Sequence, residues 1–254
     1  DGSRLSPIPS RNEWLDEGTT SFGNPALLLG RRLDYEANIE SWQLAKRPGA
    51  NLLIAGPDAT IRIGLIQAIA QSFRWVYPEG RLLLLHCRSD DERAWSAWSD
   101  SDTTPEILSQ EWDGELVLPE RSDLTAPTLL LIDCLDFAKS LHSGMGIGTK
   151  ASTVATAFKR TLEEGPPHEF WTVAFADNWP RVSTLCKELL PLFQFRVGFG
   201  LNEDHAGGLA SGGYEKVKGL DHPHRAIFVD QHQNRRSWFR PFAPADATKE
   251  DFHG

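Results

Sequence analysis

The chain has 254 residues, 40% of them hydrophobic and 24% charged, and 35 acidic against 26 basic side chains leave a formal charge of −9. That balance argues against wrapping nucleic acid by bulk charge, because phosphate contacts dominate such affinity. Apolar runs such as Leu82–Leu85 and Thr128–Ile132 stop well short of the ~20 residues that a membrane helix needs.

Three cysteines, Cys87, Cys134 and Cys186, stand far apart with no C-x-x-C spacing. A disulfide scaffold or structural zinc site is not expected, and a reducing cytoplasmic setting is. The first residue is Asp1 and the single methionine is Met145, so the chain reads as a piece of a longer protein.

Residues 1–24 are polar and rich in Ser, Pro and Gly, the composition of a linker or surface arm. Ala26–Leu29 is a short apolar run ending at Gly30, and Tyr35, Ile39 and Trp42 follow in a polar stretch suited to strands on a sheet margin. From Asn51 a regular alternation begins. Asn51–Ala55 is a short strand, Ile61 to Phe73 is apolar at helical spacing, Arg81–His86 is a buried strand and Asp91–Trp98 a helix.

Glu115–Leu118 is a further strand candidate, and the fully apolar Thr128–Ile132 leads into a predicted helix over Leu135–Leu141. A glycine loop, Gly144 to Gly148, precedes a helix at Ser152–Glu164. Strand Phe170–Ala176, helix Arg181–Leu190, strand Phe193–Phe199 and a short helix near Asp204 come next, then late strands at Arg225–Val229 and Ser237–Phe239. Near-continuously apolar strands alternating with helices predict an α/β fold with a mostly parallel sheet covered on both faces. Residues 25–242 form the predicted domain and 243–254 a C-terminal tail. The stretch 88–123 is acidic and holds Trp95, Trp98 and Trp112, the pattern of a solvated insertion or of a patch for a protein partner.

The layout strand, glycine turn, helix between Asn51 and Ile66 is that of a phosphate-binding loop. A working loop, G-x-x-x-x-G-K-[ST], needs its second glycine so that backbone N–H groups can close around phosphate, its lysine as a cation on the β- and γ-phosphates, and its hydroxyl on Mg²⁺. Here Gly56 begins Gly-Pro-Asp-Ala-Thr-Ile-Arg-Ile. Ile61 stands at the glycine, Arg62 at the lysine and Ile63 at the hydroxyl, while Asp58 adds negative charge. A helix N-terminus still attracts anions, so Gly56, Asp58, Thr60 and Arg62 are the vestigial nucleotide-binding candidates.

Downstream, Leu129 to Asp133 is a buried apolar strand ending in an aspartate. Asp133 is either a vestigial Mg²⁺ ligand or the N-cap of a helix over Leu135–Leu141. Cys134 stands where a carboxylate would polarise the attacking water, and a thiol, mostly protonated at neutral pH, is a poor base. His222, His224 and His232 are close in sequence but lack a metal-ligand pattern, and Cys134 with a histidine has no nucleophile signature.

These residues resemble the motor domain of FtsK/SpoIIIE-type ATPases, RecA-like hexameric pumps of double-stranded DNA. The likeness is carried by Leu28-Leu29-Gly30 through Asn51–Gly56, by Leu131–Phe137, by Leu162–Pro166 leading into Trp171–Asn178, and by Phe195–Phe199, His224–Phe228 and Phe239–Phe242 in the same order. It implies a RecA-like P-loop fold. It also implies that Asp177 and Asn178 lie at a γ-phosphate-sensing strand end, that Arg196 is either a basic sensor or a structural ion pair, and that Lys150 sits on a pore-facing loop or a plain solvent loop.

The reading that follows is a catalytically degenerate domain of a larger DNA translocase-type protein. No cofactor would be required, and ATP with Mg²⁺ would bind weakly at best. Sister ATPase domains or subunits would be its partners, with double-stranded DNA or a protein on 88–123 as further ones, and there would be no direct membrane contact. Two alternatives stay open. One is an active DNA-stimulated ATPase in which Arg62 or a neighbouring subunit supplies the missing charge. The other is a module similar to those of type VII secretion ATPases that bind protein signals.

Overall fold

The computed structural model describes residues 5–16, 25–86, 106–109, 125–142, 152–211, 216–222 and 224–244. The predicted helix at Asp91–Trp98, the strand at Glu115–Leu118, the glycine loop with Lys150 and nearly all of 88–123 lie outside these residues. The chain divides into two compact units, one of residues 1–44, 56–78 and 197–254, the other of residues 45–55 and 79–196.

The second unit holds the parallel strands. In it β3 (Leu52–Ala55), β4 (Arg81–His86), β5 (Glu106–Ser109), β6 (Thr128–Ile132) and β7 (Phe170–Ala176) run in the order β3-β7-β6-β4-β5. Every neighbouring pair in that set is parallel. Strands β3, β6 and β7 are buried at every position, the reason their sequences read as unbroken Leu, Ile, Val, Phe and Ala rather than as an alternation. Parallel neighbours need a crossover, and between β6 and β7 it is built from α3 (Lys139–His142) and α4 (Thr153–Glu164). Helix α4 starts where Ser152 Oγ accepts the N–H of Ala155 at 3.0 Å and buries Ala155, Phe158 and Leu162 on one stripe. Helix α5 (Trp179–Leu185) follows β7, and β8 (Phe195–Phe199) carries the chain from this unit into the other.

Asn51 was expected to open β3. It is instead a fully buried clamp in front of it. Its Nδ2 donates to the carbonyls of Leu162 at 2.9 Å and Leu192 at 3.0 Å, and its Oδ1 accepts the N–H of Thr172 at 3.0 Å. Three backbone groups of separate segments are thereby satisfied inside the core, where an unpaired one would be costly.

The first unit holds the antiparallel strands. The marginal strands expected early in the chain are β1 (Ala26–Arg32) and β2 (Ile39–Gln43), and the late ones are β9 (Ala226–Asp230) and β10 (Arg235–Pro241). Their order is β2-β1-β10-β9, each pair antiparallel. Helix α2 (Ala59–Val76) packs on β1, with Ser72 Oγ donating to Ala68 O at 2.6 Å and accepting the N–H of Leu28 at 3.0 Å. Helix α6 (Glu203–Ser211) completes this unit. Buried Glu40 on β2 is held by Arg32 at 2.9 Å and Arg235 at 2.7 Å, a pairing of distant residues that the sequence did not signal.

The described part of the 1–24 stretch carries a short capped helix. Ser10 and Glu13 form a reciprocal cap, with Ser10 N–H on Glu13 Oε2 at 2.7 Å and Glu13 N–H on Ser10 Oγ at 3.3 Å. This capping box starts the short helix α1 (Arg11–Asp16), and Trp14 packs with Leu28, Ala68 and Phe242, its ring centroid 5.5 Å from that of Trp75. At the other end, the Ala243 N–H donates to Ser6 O at 2.7 Å, so the expected tail begins as a paired segment. Among the described residues no helix is long and apolar enough to cross a membrane.

Candidate functional site

The glycine turn after β3 belongs to the first unit. Gly56 has no room for a side chain, because a Cβ there would overlap the ring and carbonyl oxygen of Phe199. Its glycine is therefore explained by close packing. Asp58 is the N-cap of α2, extended at φ −80 and ψ 111, and its Oδ1 accepts the N–H of Ile61 at 3.1 Å. The same residue's carbonyl accepts the N–H of Arg62 at 3.1 Å. An anion of the chain's own thus sits on the helix N-terminus, the place where orphan N–H groups and the helix dipole favour negative charge.

Around that cap, Ala59 and Thr60 are exposed, Ile61 is buried and Ile63 is half-buried. Arg62, expected as a substitute for the mobile lysine, is only 6% exposed, so its stem is packed into the protein.

Within the second unit, taken by itself, three parallel strands end together. Ala55 pairs with Ala176 and Ile132 with Ala174, so the carboxyl ends of β3, β7 and β6 share one edge. Ligands of open parallel sheets bind at such an edge. Asp133 follows β6 and is 1% exposed, its N–H donating to Leu85 O at 3.1 Å.

Asp133 does not cap a helix over Leu135–Leu141. The Leu135 N–H, which such a cap would take, is bound to Phe175 O at 2.7 Å. The chain then makes tight turns, Phe137 N–H to Cys134 O at 3.0 Å and Ala138 N–H to Leu135 O at 3.2 Å, and α3 begins only at Lys139. Cys134 is completely buried, a core side chain.

Of the residues expected to sense a γ-phosphate, Asp177 lies half-buried just after β7. Asn178 is the N-cap of α5, its Oδ1 accepting the N–H of Arg181 at 3.0 Å. Arg196 is elsewhere. It follows Phe195, whose N–H donates to Asn51 O, and Asn51 precedes β3, so Arg196 lies toward the opposite end of that strand. Its guanidinium donates to the carbonyls of Phe193 at 3.3 Å and Leu190 at 3.1 Å, and burial pulls its pKa down to about 10. Lys150 lies outside the described residues.

A polar cluster that was not foreseen gathers behind the β6–β7 edge. Asp136 is fully buried, and burial holds its carboxyl above the usual range. The nearby Asp177 carboxylate adds to that rise, while the N–H groups of Asp136 and Asp177 and the Arg181 guanidinium oppose it. Burial together with Asp136 pushes the Cys186 thiol up to about 12. His142 is held below its ordinary value by burial and then by the Arg181 charge, and Arg181 stands 4.5 Å above the Phe137 ring. The one sequence signal was an aspartate, Asp136, inside an otherwise apolar Cys134–Phe137 run. Among the described residues no three His, Cys, Asp or Glu side chains are grouped to hold a metal ion, His222, His224 and His232 included.

The parallel set, with β7 inserted between the glycine-turn strand β3 and the aspartate strand β6, defines an α/β fold of the RecA-like P-loop ATPase type. Solved structures agree with that assignment. The chain is similar to ATPases 2 and 3 of Thermomonospora curvata EccC in complex with a signal sequence peptide, with a TM-score of 0.60 and 11% identity over 93% of this chain and 43% of that one. It is similar to ATPases 2 and 3 of EssC from Geobacillus thermodenitrificans, with a TM-score of 0.61 and 12% identity over 97% of this chain and 48% of that one.

The conjugation coupling protein TcpA of pCW3, solved with ATPγS, gives 0.58 and 10% identity over 96% and 72%. This chain thus spans less than half of the EccC and EssC structures. The FtsK/SpoIIIE-type resemblance is supported at the level of fold, and at these identities the likeness is one of fold alone. No family model matches the sequence, and no curated protein matches it.

Proposed function

We propose that this chain is a catalytically degenerate ATPase module of the FtsK/SpoIIIE kind, one domain of a larger cytoplasmic translocase-type machine, acting by contact with sister ATPase domains. The observation that carries the reading is the Asp58 carboxylate bound to the Ile61 N–H at 3.1 Å. A triphosphate entering there would meet a fixed negative charge on the donors it needs. Ile63 offers no oxygen to magnesium, and buried Cys134 offers no base. Asp133 and Asp177 remain as acidic groups at the strand ends, without the groups that would make them a phosphoryl-transfer site.

The fold likeness to tandem ATPase domains supports contact with neighbouring ATPase domains as the working role. EccC carries a signal sequence peptide in its structure, and the acidic, tryptophan-bearing 88–123 stretch favours a protein over DNA as any further partner. The test is a magnesium-dependent ATPase assay on the purified chain, with and without duplex DNA, beside titration with a fluorescent ATP analogue. No turnover and no saturable binding are expected. Motor-like turnover would overturn the proposal.

A further inference from the structure

Strand β2 ends the antiparallel set, with β1 on one side of it. Backbone groups along such a strand alternate in direction. The Asn38 carbonyl accepts the Arg32 N–H at 2.8 Å, and the Leu44 N–H donates to Pro25 O at 2.8 Å. Glu40 and Trp42, in step with those two, bond to β1. The N–H and C=O groups of Ile39, Ser41 and Gln43 therefore point outward, and among the described residues they meet no partner. Proteins blunt such edges with Lys, Pro, a bulge or a charge turned inward. β2 reads Ile-Glu-Ser-Trp-Gln, and its one charge, Glu40, is buried and neutralised by Arg32 and Arg235. The register shift in this pair falls on β1, between Leu28 and Gly30. The edge is open to a further strand.

An apolar ledge adjoins it. Ile39 joins half-buried Ile8, Trp75 and Val76 over the buried cluster that holds Trp14 and Phe242. In an antiparallel continuation of the sheet, residues opposite Ile39 and Ser41 bond to the edge and turn their side chains to this same face. At the Ile39 end, the β1–β2 turn carries exposed Asp34 and Glu36. Their carboxylates accept the Ala37 N–H at 2.9 Å and Asn38 Nδ2 at 2.6 Å, and among the described residues neither is in an ion pair. That end is suited to a cation.

We propose that the outer edge of β2 binds an extended peptide of a partner protein by antiparallel strand addition. The peptide lays alternate apolar side chains on the ledge and ends in basic residues beside Asp34 and Glu36. Main-chain hydrogen bonds supply affinity in this mode, and the alternate side chains supply specificity. A second copy of this chain fits less well. Two five-residue edges bury far less than the ~1,200 Å² of a stable complex, whereas a flexible peptide covers the ledge as well. The inference stands whether or not the loop at Gly56 holds nucleotide.

The test is fluorescence anisotropy of a short fluorescein-labelled peptide, alternating valine and threonine with two C-terminal lysines, titrated with the full 254-residue chain. Saturable binding is expected. It should weaken between about 0.01 M and about 1 M salt, as the screening length falls from ~30 Å to ~3 Å. S41P removes one outward N–H and no bond to β1, a change that edge strands tolerate. It should keep the circular dichroism spectrum and weaken binding by about five- to tenfold, the worth of one hydrogen bond. The peptide gives a readout that needs no protein variant. N-methylation of its valines, whose N–H groups face the edge, should abolish binding, and N-methylation of its threonines should leave it intact.

No saturable binding, or binding that survives N-methylation of the valines, would overturn the proposal. So would a dimer of the chain alone that S41P dissolves, since the edge would then belong to a second copy.

Discussion

Asp58 and Ile61 are joined by a hydrogen bond from the Ile61 N–H to the Asp58 carboxylate, 3.1 Å long. In a phosphate loop the corresponding helix end is kept open for a ligand. In this chain it is closed by a side chain one turn away. The bond stabilises α2 and opposes an incoming anion at the same time.

Asp58→Ala is expected to destabilise the protein by about 1 kcal/mol through loss of the cap. In a domain of this size that is roughly 2–4 °C in melting temperature. Asp58→Asn keeps a capping oxygen and should stay close to wild type in the same thermal melts. Neither variant should acquire ATPase activity, because Ile63 still lacks an oxygen for magnesium.

Gly56→Ala places a methyl group against the Phe199 ring and carbonyl. The ring has some freedom and the backbone carbonyl has little, so overpacking of about 1–3 kcal/mol is expected. Adding Phe199→Leu should recover part of that loss, which urea unfolding of the single and double variants will measure. A loss that Phe199→Leu leaves wholly unrelieved would mean that the carbonyl alone dictates glycine here.

Asn51→Ala abandons the carbonyls of Leu162 and Leu192 and the N–H of Thr172 inside the core. Each unsatisfied buried group costs about 1–3 kcal/mol, so a loss of roughly 3 kcal/mol or more is expected. Asn51→Asp should be at least as damaging, because a carboxylate facing two carbonyls cannot donate to either. Equilibrium unfolding of the two variants checks the order.

The cluster behind the β6–β7 edge gives two pH dependences of opposite sign. Asp136 is raised from its ordinary 3.8, chiefly by burial, so its ionised form penalises the fold at neutral pH. That penalty is relieved as pH falls through the raised value toward 3.8. His142 is lowered from 6.5, again chiefly by burial. Its contribution is present above 6.5 and is lost as pH falls through the lowered value. Asp136→Asn should therefore raise the melting temperature at about pH 7, and the gain should shrink in acid. His142→Asn should flatten the decline just below pH 6.5. A series of melts against pH separates the two.

Much of the α/β order was legible because buried parallel strands must be apolar throughout and capped helices declare their starts. Leu52–Ala55, Thr128–Ile132 and Phe170–Ala176 were found within a residue, and Ser152 marked the start of α4. The helix read over Leu135–Leu141 shrank to Lys139–His142 because the Leu135 N–H is claimed by Phe175, a residue forty positions away. The segment before Pro25 reads as a linker or surface arm by composition. Its Ser10–Glu13 cap and Trp14 gave it a reason to dock that composition does not register.

What the residues alone determined was chemical inventory: which side chains stand in the loop, that no hydroxyl follows Arg62, and that a thiol follows Asp133. Only the tertiary structure decided what those side chains do. Asp58 became a cap, Gly56 a packing site for Phe199, Arg196 a ligand of backbone carbonyls, and Asp136 a buried acid. The physical reason is that each role depends on a partner remote in sequence or on exclusion from water, and neither distance in space nor burial is written at a single position.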